Sequence, residues 1–141
     1  MRPHGSERVW ILRLDVTESA RREALALLGR SDGPICDLLT VLQGEGQLTI
    51  CAVELKGRNI TRGLTQLLAV TRDLLPPPGH GGARPRRLKA CLLSTASEPS
   101  GRHYSQRRQS LESMLGADSV LVRTGLPSRT ELDVTDFLRS R

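Results

Sequence analysis

Aromatic residues are nearly absent from this chain of 141 residues, which has one tryptophan, one tyrosine and one phenylalanine. A surface that stacks several nucleic-acid bases needs several exposed rings, so the composition argues against such a platform. Hydrophobic residues still make up 38% of the sequence. That fraction is typical of one globular domain with an aliphatic core, and it is too high for a disordered chain.

Cysteine is also scarce: Cys36, Cys51 and Cys91 are far apart, and each lies in an apolar run. None has the close Cys or His neighbour of a structural zinc site, and the odd number does not favour a disulfide framework. We expect reduced core cysteines in a cytoplasmic protein. No signal-peptide segment and no apolar run near the ~20 residues of a membrane span is present, so no membrane association is expected.

Acidic residues are outnumbered, 15 against 21 basic residues, which gives a formal net charge of +6. A basic domain favours a polyanionic partner, most commonly nucleic acid, although an ordinary basic protein has the same balance. Lysine is rare, because Lys56 and Lys89 are the only two. Arginine cannot give up its proton in a protein whereas lysine can, so a lysine beside candidate catalytic residues is notable.

Hydrophobic periodicity predicts the order β-α-β-β-α-β-α-β. We expect strands over residues 8–14, 34–42, 48–55, 88–94 and 119–123, helices over 17–29, 61–75 and 104–115, and a short helix near the end. A Pro-, Gly- and Arg-rich stretch over 76–87 is expected to be a flexible loop. The fold class is α/β: a single domain, 1–141, with a central mixed sheet flanked by helices.

Glu54, Leu55 and Lys56 end a strand that is otherwise apolar on both faces, as in a central strand. Side chains alternate along a strand, so Glu54 and Lys56 share a face. The alternative is that the strand simply reaches solvent at this point. Asp37 interrupts the preceding strand, where it is either an edge residue paired with an arginine or a metal ligand.

The register of the hairpin decides whether the two carboxylates meet. If residues 44–47 form a four-residue loop, Gln43 pairs with Leu48 and Asp37 lies opposite Glu54, with Cβ atoms about 5 Å apart. Carboxylates that close repel each other unless a cation lies between them, and oxygen ligands suit Mg²⁺ or Mn²⁺. Lys56 would then orient or deprotonate an attacking water, or stabilise the transition state.

Gln66 follows Lys56 by ten residues, in the next helix, from which its side chain could return to the strand end. A solvated helix glutamine is the alternative. The order of Asp37, Glu54-Leu55-Lys56-Gly57 and Gln66-Leu67 resembles the D…ExK…Q signature of PD-(D/E)XK phosphodiesterases. More narrowly, it is similar to small bacterial members with a CD strand, an ELKG strand and a QL helix, over roughly residues 34–95.

This resemblance implies a restriction-endonuclease-like fold in which Asp37, Glu54 and the Leu55 carbonyl bind the metal. It also implies a catalytic Lys56, an accessory Gln66 and a glutamate on the first helix, for which Glu23 is the candidate and Glu18 the reserve. A proline commonly precedes the aspartate in the family, whereas Cys36 precedes it here.

The expected function is Mg²⁺- or Mn²⁺-dependent hydrolysis of nucleic acid, with DNA as the expected substrate. Arginines near such a site are natural phosphate contacts; the candidates are Arg58, Arg62, Arg107 and Arg108. Two alternatives are open. One is an inactive nuclease fold that binds nucleic acid or protein in a defence or repair complex, and the other is a nuclease that needs a homodimer or a protein partner.

Overall fold

Five strands form one mixed sheet in the computed structural model, which describes residues 5–44, 46–75, 86–129 and 131–140. The strands lie side by side in chain order: β1 (Arg8–Arg13), β2 (Leu38–Gly44), β3 (Gln47–Lys56), β4 (Arg86–Ser94) and β5 (Val120–Arg123). β1, β2 and β3 pair antiparallel, whereas β3, β4 and β5 pair parallel. Each parallel pair is joined by a helical crossover, as parallel strands require.

Helices cover both faces of the sheet. They are α1 (Glu18–Leu27), α2 (Ile60–Leu74), α3 (Arg102–Leu115) and α4 (Thr135–Arg139), with a 3₁₀ turn over Ala117–Ser119. Leu25 of α1, Leu64 of α2 and Leu111 of α3 belong to one buried cluster, whereas Leu138 of α4 belongs to a second. The chain is therefore a single α/β domain with a central mixed sheet, as the periodicity predicts.

β3 is the central strand and is buried on both sides. Ala52 packs into the first cluster, and Cys51 and Val53 pack into the second. All three cysteines are buried and free, which confirms that they are core residues. None of the helices that the structure describes is long and apolar enough to cross a membrane.

Several predicted boundaries are wrong. β2 begins at Leu38 rather than at residue 34, because the Asp37 carboxylate accepts a hydrogen bond from the Leu55 N–H where a backbone acceptor would continue the ladder. The hairpin ladder continues to Gly44 and Gln47, so the predicted four-residue loop is too long. β4 begins at Arg86, because Arg86 and Arg87 pair with the start of β3 instead of belonging to the predicted loop. The rest of that loop, 76–85, lies outside the described residues, and the short final helix is present as α4.

Candidate metal and active site

Asp37 and Glu54 meet at the open end of the β2–β3 hairpin. Gln43 pairs with Leu48, which confirms the predicted register. Extending this register by one residue beyond β2 places Asp37 opposite Glu54, on the same face. The backbone N–H of Asp37 donates to Glu54 Oε2 at 3.2 Å, so the two residues are in direct contact.

The Asp37 carboxylate ends the β2 ladder. Its Oδ2 accepts a hydrogen bond from the backbone N–H of Leu55 at 2.7 Å, so a side chain takes the place of a backbone acceptor. Regular pairing therefore starts only at Leu38. The N–H and C=O of a strand residue point toward the same neighbouring strand, so the Leu55 carbonyl lies on the Asp37 side of β3.

Lys56 lies beside Glu54 on this face. Its Nζ is 2.5 Å from Glu54 Oε1, and the Glu54 side chain is 0% exposed while that of Lys56 is 22% exposed. The strand therefore does not reach solvent at Glu54, and that alternative is wrong. Asp37, Glu54 and Lys56 form one group, called here the carboxylate–lysine cluster.

The surroundings of Glu54 favour its protonated form more than water favours the protonated form of an exposed glutamate. The pKa of Glu54 is raised to about 7: burial raises it most, the hydrogen bond from Lys56 lowers it, and the negative charge of Asp37 raises it further. Burial and the charge of Glu54 also raise the pKa of the neighbouring Cys36 thiol to about 12. A carboxyl with a strongly raised pKa beside a second carboxylate and a lysine is typical of functional sites.

Gln66 is directed toward the segment that precedes Asp37. Its Nε2 donates to the Ile35 carbonyl at 2.8 Å, which ties α2 to the segment before β2. Its Oε1 is buried and accepts no hydrogen bond from any residue that the structure describes. Gln66 is therefore a half-buried residue of this region, and the alternative of a solvated helix glutamine is wrong.

Gly63 allows α2 to approach the cluster, and sequence analysis does not identify it. A Cβ at this position would lie 2.8 Å from Leu92 Cδ1, 3.0 Å from Lys56 Cγ and 3.3 Å from Glu54 Cγ. The available signal is the residue itself, because glycine inside a helix costs about 1 kcal/mol relative to alanine.

The structure does not bring Glu23 to the cluster. Glu23 is exposed on α1, and within the described ranges no hydrogen bond or ion pair joins it to Asp37 or Glu54. Glu18 is also exposed, and it lies 3.8 Å from Arg22 in an ion pair along the same helix. The catalytic role that the resemblance implies for Glu23 therefore stays a prediction without geometric support.

The four candidate phosphate contacts differ in their surroundings. Arg58 follows β3, Arg62 lies in the first turn of α2 and Arg107 lies on α3, and all three are exposed. Arg108 is instead paired with two glutamates, Glu98 at 2.9 Å and Glu112 at 3.0 Å. Its charge is already compensated within the protein, so we expect it to contribute least.

The donor atoms of the cluster fit a hard divalent cation. Asp37 and Glu54 offer carboxylate oxygens and Leu55 a carbonyl oxygen, as Mg²⁺ and Mn²⁺ prefer. Gln66 Oε1 is a buried acceptor without a hydrogen-bond donor in the described part of the chain, whereas Glu54 Oε1 is paired with Lys56 Nζ at 2.5 Å. No set of three or more His, Cys, Asp or Glu side chains among the described residues could hold a metal. A cation here would therefore have two carboxylate ligands and keep several waters.

Comparison with known proteins identifies no relative: no family model, no curated protein and no solved structure matches the chain. Any functional conclusion therefore depends on the geometry of the cluster and on the order of the motif residues.

Proposed function

We propose that this protein is a Mg²⁺- or Mn²⁺-dependent nuclease with a restriction-endonuclease-like active site, which hydrolyses phosphodiester bonds of nucleic acid, with DNA as the first substrate to test. One observation carries this proposal: Asp37, Glu54 and Lys56 converge at the ends of two paired strands, with Glu54 fully buried against the lysine. Burying an ion pair costs desolvation and is weak evidence for a stabilising role. A role in chemistry accounts for that cost.

Each residue of the cluster has a distinct task in this proposal. Asp37 and Glu54 would hold the cation together with the Leu55 carbonyl. When bound, the ion supplies positive charge and lowers the pKa of a water molecule. The Lys56 ammonium donates a hydrogen bond to the attacking water or to the phosphate oxygen on which negative charge develops. Gln66 positions Asp37 by holding the Ile35 carbonyl.

Cleavage of plasmid DNA and of DNA and RNA oligonucleotides, in EDTA, Mg²⁺ and Mn²⁺, tests the proposal. We expect metal-dependent cleavage by the wild type and a loss of at least about a hundredfold in Glu54→Gln and Lys56→Met. Asp118→Asn, at an exposed carboxylate on the 3₁₀ turn, is the matched control and should retain activity. Equal cleavage by all four proteins would contradict the assignment, because the activity would then come from elsewhere.

A second candidate function is supported by β1. This strand is at the edge of the sheet, and its residues Trp10, Ile11 and Leu12 are exposed, Ile11 to 60%. An exposed apolar edge strand can pair with another chain. It favours an inactive module that binds a protein partner, or a nuclease that works as a homodimer. The mass of the protein in solution, alone and with candidate partners, separates the homodimer from the complex with another protein.

Under both candidate functions we propose a cytoplasmic location, since the thiols of the protein are free and buried.

A further inference from the structure

A pocket of about 350 Å³ lies at the ends of β3 and β4, next to the carboxylate–lysine cluster. We call it the leucine pocket, because its apolar lining residues are chiefly Leu55, Leu93, Leu126 and Leu132. The side chain of Leu55 points to the face opposite Glu54, because the two residues are consecutive in a strand. The cluster and the pocket therefore lie on the two sides of one strand end.

Backbone hydrogen bonds hold the walls of the leucine pocket together. Thr95 N–H donates to the Lys56 carbonyl at 3.2 Å, which joins the ends of β3 and β4. Leu126 N–H donates to the Ser94 carbonyl at 3.0 Å, which joins the chain after β5 to the same end. These contacts form the pocket without any ligand, as is common for small-molecule sites.

The charges around the leucine pocket favour an anionic ligand. Arg129 belongs to its lining, and none of the described lining residues is acidic. Lys56 also lines the pocket, but its Nζ pairs with Glu54 on the other side of the strand. An occupant must therefore combine an apolar body that leucine side chains can cover with negative charge beside it. A nucleotide within a strand has this combination, since its base has apolar faces and its phosphates are anionic.

We propose that the leucine pocket receives one unstacked base of the DNA strand whose phosphate is held at the carboxylate–lysine cluster. The substrate would then be single-stranded, or a duplex with an unpaired base beside the scissile bond, because a paired base cannot leave its stack without a free-energy cost. This assignment rests on the nuclease function proposed above. It also agrees with the scarcity of aromatic residues, because one base needs a slot rather than a stacking platform.

The test uses single-stranded DNA with one 2-aminopurine, whose fluorescence rises when the base leaves its neighbours. Binding is measured in EDTA and cleavage in Mg²⁺, for the wild type, Leu132→Asn and Leu75→Asn. Leu132 and Leu75 are similarly exposed, 41% and 38%, and only Leu132 lines the pocket. A ribonucleotide version of the oligonucleotide and a fully paired duplex are the other substrates.

We expect the fluorescence to rise with the wild type and with Leu75→Asn, and the affinity of Leu132→Asn to fall by about fivefold or more. The single strand should also be cleaved faster than the duplex. Cleavage without a fluorescence rise, or with equal affinity in both variants, would overturn the base-binding role of the leucine pocket and leave the proposed nuclease function intact. A Leu132-dependent rise without cleavage would support the pocket and overturn the nuclease. If the protein neither binds nor cleaves DNA or RNA, both the base-binding role of the pocket and the nuclease function are overturned.

Discussion

At the scale of single residues, Glu54 is the least ordinary feature of the molecule. A carboxylate that is 0% exposed needs a partner, and Lys56 at 2.5 Å provides one. Asp37 adds a second negative charge through its contact with Glu54. The metal-free protein therefore holds an unbalanced buried charge whenever Glu54 is ionised, and a bound cation would balance it.

Stability should fall as pH rises in the metal-free protein because of Glu54. Its pKa is raised from 4.5 to about 7, so between these values the folded state binds more protons than the unfolded state. The contribution is present below pH 4.5 and is lost as pH passes 7, with a total of about 3 kcal/mol. Urea unfolding in EDTA at pH 5 and pH 8 measures it.

The comparison for this experiment is Glu54→Gln, which has no carboxyl group to titrate at this position. Between pH 5 and pH 8 the free energy of unfolding of the wild type should therefore fall relative to that of Glu54→Gln. Glu23→Gln removes the same charge from an exposed position and should follow the wild type. If the wild type and Glu54→Gln show the same pH dependence, Glu54 does not have the raised pKa.

Gly63→Ala should impair the site even though alanine is the better helix former. The added Cβ would lie 2.8 Å from Leu92 Cδ1 and 3.0 Å from Lys56 Cγ, so Leu92 must shift and Lys56 must give by a few tenths of an ångström. We expect a loss of about 1–3 kcal/mol in stability. We also expect a lower cleavage rate under conditions in which the variant is fully folded.

The matched control for this substitution is Gly101→Ala, where a Cβ would meet no atom within 4 Å. Circular dichroism with urea unfolding gives the stability, and the Mg²⁺-dependent cleavage rate is measured where both variants are fully folded. Normal cleavage by Gly63→Ala would show that the close approach of α2 does not position Lys56.

At the scale of the elements, α4 depends on a buried lysine. Lys89 of β4 donates to the Ser140 carbonyl at 2.9 Å and to Ser140 Oγ at 2.7 Å, and also to the Phe137 carbonyl. Its Nζ lies 4.6 Å from the centre of the Phe137 ring. Burial lowers the pKa of Lys89, while the carbonyl acceptors at the C-terminal end of α4 favour its charged form.

Lys89→Met should release α4 from the sheet. The methionine keeps much of the apolar stem and removes the hydrogen bonds, which should cost about 2–4 kcal/mol. Arg72→Met, at an exposed position of α2, should cost little. Thermal unfolding and limited proteolysis near residue 134 measure the effect, and equal stability of the two variants would show that α4 does not need Lys89.

The sequence predicts much of the architecture, because the order of elements follows from strong local patterns. β3 is apolar on both faces, which identifies it as central. The pairing of Gln43 with Leu48 is the register expected for a four-residue loop, although the loop itself is shorter. Asp37, Glu54 and Lys56 come together because this register determines which side chains share a face.

Features that depend on contacts between distant elements could not be predicted. The start of β2 depends on the Asp37 carboxylate accepting from Leu55, which periodicity does not show. Gly63 and Lys89 acquire their roles from α2 packing on the sheet and from α4 covering the other face. The first-helix glutamate stays a prediction for the same reason: helical spacing gives no information on whether Glu23 faces the sheet.

At the scale of the whole molecule, the formal net charge of +6 should govern how the proposed nuclease captures nucleic acid. Binding should weaken with salt, since each phosphate contact releases counterions. Arg58 and Arg62 are exposed and lie close to Lys56 in the sequence, whereas the ion pairs of Arg108 with two glutamates compensate its charge.

Arg58→Gln and Arg62→Gln should each reduce the slope of log affinity against log salt by about 1, and Arg108→Gln should leave it nearly unchanged. Fluorescence anisotropy of a labelled oligonucleotide at several salt concentrations measures the slope. A larger change in Arg108→Gln than in the other two would mean that Arg108 leaves its glutamates to bind phosphate.

Metal binding tests the central claim more directly than cleavage does, because it does not depend on choosing the right substrate. Mn²⁺ titration followed by electron paramagnetic resonance, with calorimetry for Mg²⁺, compares the wild type with Asp37→Asn, Glu54→Gln and the control Asp118→Asn. We predict one site in the wild type and the control, weakened at least about tenfold in the two cluster variants. No binding by the wild type, or equal binding by all four proteins, would contradict the assignment of Asp37 and Glu54 as metal ligands.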